Sequence, residues 1–398
     1  MTILSSRREN SLYEMTVTDY SKSKLLTYAD SFRELANCMG VKEPVTCGDR
    51  QQKLERYREW EQQQALCRHM KEISEILRKV AVHTFTFDTF PERWKRKVVQ
   101  AFRQEKIQVS DIYKIRDYVE SKEDKPYAIG VRMYSEYSGG YSVQEVADML
   151  SVLLDKRLVP SVTAPMRVDR ELKTFVFIKE PPFLAVPGYA KAVKENETVS
   201  GDNYTLLETA GGELSVLLAD GMGSGENAGR DSECVLELME HFLEAGADVE
   251  SAMQMVNNSL LVMMKENMST LDVCTLDLYS GMCRFRKAGG VTTFLKSNSF
   301  VDQISIPTLP LGIFRETEYP MVERELIEND YVIMMTDGVI DALEESGYED
   351  GLKQYIEDLR CGSPEETARR ILQYALKCSG GRVADDMTVV VLGIYRNG

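Results

Sequence analysis

The 398-residue sequence is short of the side chain that most often moves protons in enzymes: it has three histidines, His69, His83 and His241. So few, and so far apart, leave little material for a Ser-His-Asp triad or a histidine-rich metal site. The eight cysteines, at positions 38, 47, 67, 234, 274, 283, 361 and 378, include no CxxC pair, which argues for reduced core thiols over disulfides or zinc. No run approaches the ~20 apolar residues that a membrane-spanning helix needs. The first residues, MTILSSRREN, lack the apolar core of a signal peptide, so the expectation is a cytoplasmic chain. Basic residues are also in deficit, 48 Lys and Arg against 63 Asp and Glu, for a net charge of −15. Phosphate backbones are bound by clustered Lys and Arg, so this balance argues against nucleic acid or an anionic membrane as the main partner.

What the chain does have is a set of aspartates at the ends of apolar runs. The stretch LSVLLADGMGSG, residues 214–225, reads as a buried strand that ends in Asp220 and a glycine-rich turn. A dinucleotide fingerprint would need a third glycine where Glu226 stands, and a P-loop would need a Gly-Lys-Ser/Thr ending that is absent. A helix-loop-helix calcium site would need oxygen side chains where Met222 and Ser224 stand, and only Ser224 could serve. An ordinary strand-turn-helix junction is the remaining alternative.

The length suits two or three domains of ~100–200 residues. Residues 1–85 form a polar, helical segment: apolar positions from Leu25 to Met39 recur at three and four, and a second stripe runs from Leu54 to Val80. Stripes this polar cannot bury a core alone, which points to packing on another domain or self-association as a coiled coil. Residues 86–185 alternate helix and strand signals, with a helix from Pro91 to Phe102, a strand over Tyr127–Met133, a capping box at Ser142 and Glu145, and a strand over Thr174–Ile178. They read as a small α/β domain with a regulatory or packing role. Beyond Pro181 and Pro182, strands are expected over 189–193, 204–208 and 214–219, helices over 231–245 and 249–265, and a hairpin about Ser280-Gly281. A strand over 330–335, a helix opened by Ser363, Pro364 and Glu366, and a final strand over 389–395 follow.

Asp202 lies in a turn between strands, Asp220 and Asp337 each end an apolar strand before a glycine, and Asp385 stands at the mouth of the last strand. Each Asp-Gly pair taken singly fits a plain turn. Strand ends meeting at one rim would bring the four together, and like charges so placed need cations between them. Carboxylates, a backbone carbonyl and water suit Mg²⁺ or Mn²⁺. Two such ions ~3.5–4 Å apart activate a water and offset phosphoryl charge, a chemistry that needs no histidine.

The segments SGDNY (200–204), LADGMGSGENA (218–228), KAGG (287–290), LPLGI (309–313), TDGVIDA (336–342) and ADDMTVVVL (384–392) together resemble the metal-dependent PPM-type serine/threonine phosphatases, most of all the subfamily of the bacterial stage II sporulation protein E. The resemblance covers residues 186–398, with weaker likeness ahead of them. It implies an α+β fold, a β-sandwich flanked by helices, with two Mn²⁺ or Mg²⁺ ions at one end. Carried over by residue, Asp202 and Asp220 are shared ligands around a bridging water, Gly221 supplies a backbone carbonyl, and Asp337 and Asp385 complete the second ion. Asp386 stands where many relatives have Asn. The implied reaction is in-line attack of that water on phosphoserine, with no phosphoenzyme. The implied substrate is a phosphorylated anti-sigma factor antagonist, a STAS-domain protein, whose dephosphorylation frees a sporulation sigma factor by partner switching. Family members carry a multi-spanning membrane region ahead of these domains, which these 398 residues lack. Two alternatives are a stress-response relative acting on a similar antagonist, and a silent binding module of the same fold. The complete aspartate set speaks against the second.

Overall fold

The computed structural model describes residues 26, 28–34, 36–37, 60, 63–64, 66–78, 86–116, 128–162, 164–209, 212–244, 247–262, 268–298, 300–314, 317–344 and 349–397. The chain divides into two compact units at Pro181 and Pro182, and residues 27–77 fall in the same unit as 182–208 and 212–398. The helical residues 28–34 and 66–77 therefore do not stand apart as a unit of their own. Residues 1–25, 38–59 and 79–85 lie outside the described residues, so the stripe expected from Leu54 to Val80 is described only in part.

The unit containing residues 78–181 is a five-stranded sheet in the order β1 (Thr86–Thr89), β2 (Ile107–Arg116), β3 (Ala128–Ser135), β7 (Lys173–Lys179), β5 (Leu158–Pro160). Every pairing in it is antiparallel, as is the short separate ladder of β4 (Tyr141–Ser142) with β6 (Arg167–Val168). The helices Glu92–Gln104 and Val143–Leu154 lie on one face, because Val98, Phe102, Val146 and Leu150 share a core with Ile129, Val131, Met133, Phe175 and Phe177. The capping box forms as the sequence predicts: Ser142 Oγ accepts the Glu145 amide at 3.2 Å, and Glu145 Oε2 accepts the Ser142 amide at 2.7 Å.

The other unit stacks two five-stranded antiparallel sheets. One runs β15 (Val322–Glu325), β12 (Met282–Ala288), β11 (Ser269–Asp277), β10 (Glu213–Gly221), β9 (Asp202–Glu208). Its partner runs β14 (Phe300–Ile304), β13 (Thr293–Ser297), β16 (Asp330–Met335), β17 (Met387–Arg396), β8 (Phe183–Ala192). The continuous apolar runs in the sequence follow from burial on both faces. In β10, Leu214, Val216 and Leu218 point into the core between the sheets, while Leu217 and Ala219 sit under the helices Gly225–Glu244 and Val249–Val262. In β16 and β17, Val332, Met334, Val390 and Leu392 enter the inter-sheet core, while Ile333, Met335, Val389 and Val391 meet the helices Asp337–Glu344, Glu349–Asp358 and Pro364–Cys378. Each such side chain contributes ~1.5–3 kcal/mol of burial. Helix 364–378 lies directly on β8: a Cβ at Gly188 would stand 2.1 Å from the Glu365 amide nitrogen.

The structure holds strands absent from the sequence reading, namely β1, β2, β4, β5, β6, β13, β14 and β15. The helix expected from Asp231 begins at Gly225. Met263 and Met264, expected in the helix after Val249, lie outside the described residues. At the last helix Ser363 Oγ accepts the Glu366 amide at 3.2 Å, but the Glu366 side chain turns to Arg370. No helix among the described residues is long and apolar enough to cross a membrane.

Candidate metal centre

One end of the sandwich gathers the four aspartates. Asp202 opens β9 and Asp220 lies one residue from the end of β10, and the two are directly opposite in the antiparallel register. Facing positions in such a ladder hold their Cβ atoms ~4.5–5.5 Å apart, so the pairing fixes two carboxylates side by side. On its other side Asp220 pairs with Thr270 of β11, and Ser269 Oγ donates to the Asp220 carbonyl at 2.8 Å. Gly221 is held by its amide on the Gly201 carbonyl at 3.2 Å. A Cβ there would meet the Ala228 carbonyl oxygen at 2.1 Å, so glycine is what lets the helix from Gly225 start against the strand end.

The second sheet brings Asp337 and Asp385 to this end. Asp337 follows β16 and opens a helix rather than a turn, and Asp385 precedes β17, the neighbour of β16. A hydroxyl joins the two sheets: Thr336 Oγ1 donates to Asp202 Oδ2 at 2.9 Å and accepts the Thr388 amide at 2.9 Å. Asp386, whose role the sequence left open, is buried and holds backbone. Its Oδ2 accepts the Gly201 amide at 2.7 Å and its Oδ1 the Lys194 amide at 2.9 Å.

The electrostatics are those of crowded like charges. Burial first, then the charges of Asp202, Asp337 and Asp385, push the Asp220 carboxyl up to about 9. Asp202 is raised to about 6 by burial and by Asp386, against the Thr336 and Thr388 hydroxyls and Lys191, which favour its charge. Asp202 Oδ1 is buried and has no hydrogen-bond partner among the described residues. Among those residues no three acidic, histidine or cysteine side chains are already drawn together as a closed ligand cage. Protein partners hold the outer carboxylates instead: Thr336 on Asp202, and Lys194 Nζ on Asp385 Oδ1 at 3.3 Å. An orphaned carboxylate oxygen beside a carboxyl with a strongly raised pKa is the environment that a hard divalent cation relieves, so this donor set fits Mg²⁺ or Mn²⁺.

Asp337 also borders a small cavity lined by Thr270, Asp272, Gly289, Gly290 and Thr336. Asp272 is buried there and paired with the equally buried Lys287, whose Nζ also donates to the Val291 carbonyl at 2.6 Å and to Thr293 Oγ1 at 2.8 Å. Sequence reasoning gave no role to Thr336, Lys191, Lys194 or the Lys287–Asp272 pair. Thr336 and Lys287 lie inside quoted motifs and could have been singled out; Lys191 lies in the strand expected over 189–193 and Lys194 just past it, where nothing local marks a site. The six described cysteines are free thiols, of which Cys67, Cys274 and Cys283 are buried and Cys234, Cys361 and Cys378 partly so.

Residues 210–395 match the family described as Stage II sporulation protein E (SpoIIE). The chain is 29% identical over 272 residues to stage II sporulation protein E of Bacillus subtilis (strain 168), an alignment covering 68% of this chain and 33% of the relative. It is 30% identical over 277 residues to the protein of the same name from Priestia megaterium, covering 69% of this chain and 47% of the relative. The chain thus spans a third to about half of the length of the curated relatives it matches. A solved structure of the PP2C phosphatase domain and a fragment of the regulatory domain of the cell fate determinant SpoIIE from Bacillus subtilis is similar at a TM-score of 0.62 and 25% identity, covering 89% of this chain and 100% of the solved one.

Proposed function

The chain belongs to the PPM-type phosphatases, close to stage II sporulation protein E, and on that premise we propose that it is a protein serine phosphatase dependent on two Mn²⁺ or Mg²⁺ ions. The observation that carries the reading is the in-register pair Asp202–Asp220, with Asp337 and Asp385 in electrostatic reach of it. Asp202 and Asp220 would hold both ions, the Gly221 carbonyl would add a neutral donor, and Asp337 and Asp385 would serve the second ion. When bound, such ions acidify a shared water and offset the charge of a transferring phosphoryl group.

The chain's own residues do the positioning. Thr336 fixes the Asp202 carboxylate through Oδ2 and leaves Oδ1 for a ligand. Asp386 fixes the backbone on which Asp202 stands, through Gly201. Dense sheet packing keeps Asp202 and Asp220 from drawing apart.

The substrate in this reading is a phosphorylated anti-sigma factor antagonist of the STAS kind, and the outcome is release of a sporulation sigma factor by partner switching. Control would come from self-association through the N-terminal helices, acting on the helix pair 225–244 and 249–262. The contacts that support this are Asn258 Nδ2 donating to Glu72 Oε1 at 2.6 Å and Ile76 packing against the core under that helix pair.

The test is phosphate release from a phosphoserine-bearing antagonist, with Mn²⁺, with a chelator, and with Asp220→Ala. Release that requires metal and is lost in the variant is the expected result. Release unaffected by chelator, or retained by Asp220→Ala, rules the two-ion hydrolase out. For the control step, Glu72→Ala changes turnover at equal metal affinity; unchanged turnover removes the helix contact from the regulation.

A further inference from the structure

Lys194 stands just past the end of β8, and its position is built from three sides. Its amide is taken by Asp386 Oδ1 at 2.9 Å. The next residue, Glu195, donates its amide to the Val383 carbonyl at 3.0 Å. Asp386 Oδ2 takes the Gly201 amide at 2.7 Å, so one buried carboxylate gathers both ends of the segment 194–201. The ammonium then lies over the cluster, 3.3 Å from Asp385 Oδ1, with about a third of the side chain, 32%, exposed.

The two other lysines described at this end are already committed. Lys191 donates to the Asp202 carbonyl at 2.5 Å, and burial lowers its pKa against the opposing charges of Asp202 and Asp386. Lys287 is enclosed by Asp272, the Val291 carbonyl and Thr293. A charge-assisted N–H···O bond settles at ~2.7–2.9 Å, so the 3.3 Å contact of Lys194 is loose by comparison. It can be given up at little cost.

Charge balance indicates what Lys194 would be given up for. Two divalent ions match the four carboxylates Asp202, Asp220, Asp337 and Asp385, and Lys191 faces Asp386 as well as Asp202. A phosphoserine brings a further ~1.5–2 negative charges and three acceptor oxygens. We propose that Lys194 is the cation that binds the substrate's phosphoryl oxygens, with Asp386 as the residue that positions it. The inference rests on the phosphatase reading and adds a residue to it.

The experiment uses the full chain, loaded with Mn²⁺, as wild type, Lys194→Met, Lys194→Arg and Asp386→Ala. The readouts are KM and kcat on a phosphoserine protein, binding of inorganic phosphate by calorimetry, and Mn²⁺ affinity. The expected result is a tenfold or greater loss of phosphate binding and rise in KM for Lys194→Met, near-recovery in Lys194→Arg, and Mn²⁺ affinity no weaker than wild type. Asp386→Ala should follow Lys194→Met in phosphate binding. Unchanged phosphate binding in Lys194→Met overturns the proposal. So does a parallel fall in Mn²⁺ affinity, which would make Lys194 a support for Asp385 only. Wild-type protein that binds phosphate through Lys194 but turns nothing over would sink the phosphatase reading and leave this inference standing. Wild type that neither binds phosphate nor turns over substrate ends both.

Discussion

Thr336 Oγ1 and Asp202 Oδ2 meet at 2.9 Å across the two sheets of the sandwich. The same hydroxyl takes the Thr388 amide, so one side chain orients a carboxylate of the first sheet and ties together β16 and β17 of the second. A carboxylate buried this deeply would otherwise be free to rotate away from its neighbour.

Thr336→Val keeps the shape and removes the donor. It removes the donor from Asp202 Oδ2 and the acceptor from the Thr388 amide, which should cost ~1–3 kcal/mol of stability. Loss of an orienting partner should also weaken Mn²⁺ binding by ~10–100-fold, while Thr336→Ser retains most of both. Urea unfolding and calorimetric metal titration read the two effects, and a Val variant that binds Mn²⁺ like wild type would remove Thr336 from the site.

The raised pKa of Asp220 makes a stability prediction. Its folded value of about 9 lies above the ordinary 3.8, so the folded chain keeps a proton that the unfolded chain loses. Stability from this group is fully present below the unfolded pKa and drains away as pH rises towards the folded one. In chelator, Asp220→Asn should therefore melt higher than wild type, by roughly 5 °C or more at pH 8 and by less at pH 5. Saturating Mn²⁺ should reverse the order at pH 8. A melting difference that is flat with pH in chelator would contradict the assigned crowding.

The Lys287–Asp272 pair gives a test of a different kind. Removing one member of a buried pair strands the other, at a cost of ~3–5 kcal/mol. Lys287→Met should show that loss in urea unfolding, and Lys287→Met combined with Asp272→Leu should regain most of it. If the single variant matched the double, the two side chains would not be coupled.

Gly221→Ala adds a methyl group 2.1 Å from the Ala228 carbonyl oxygen. Backbone must move to admit it, so the start of the helix at Gly225 or the end of β10 shifts. The expected outcome is a stability loss of ~1–3 kcal/mol and Mn²⁺ affinity lower than in Gly362→Ala, whose Cβ would meet only the end of the Glu366 side chain. Equal affinities in the two variants would show that the contact is absorbed without moving the site.

Asp220, Asp337 and Asp385 were legible because each stands at the end of a strand buried on both faces, and such strands announce themselves as uncharged runs; β9, which Asp202 opens, is only half-buried, and the turn at Gly201-Asp202 marked it instead. The edges were not. β15 is Val-Glu-Arg-Glu and mostly exposed, so it carries no apolar signal; β13, although interior between β14 and β16, hides its character behind Lys296. That lysine is buried and spends its charge on the Glu357 carbonyl at 2.8 Å. The helix from Gly225 was read as starting at Asp231 because its first turns are small residues. Gly225, Ala228 and Gly229 are buried, close to where Gly221 lies against Ala228, and they trade helix propensity for close approach. Lys194 was invisible for a plainer reason. Its importance comes from Asp385 and Asp386, 191 and 192 positions away, and no local pattern encodes that distance.

β17 lies between β16 and β8, so this sheet is closed by an interior strand that follows all its neighbours in sequence. A ribosome that has synthesised this chain through residue 380 has delivered three of the four aspartates and both of the strands that flank the missing one. It has not delivered Asp385, the Asp386 clamp on Gly201 and Lys194, or the Thr388 amide that Thr336 grips. The carboxylate cluster is therefore complete only once that strand is in place, and a chain clipped before it keeps the Asp202–Asp220 pair of the first sheet without the partners that β17 brings.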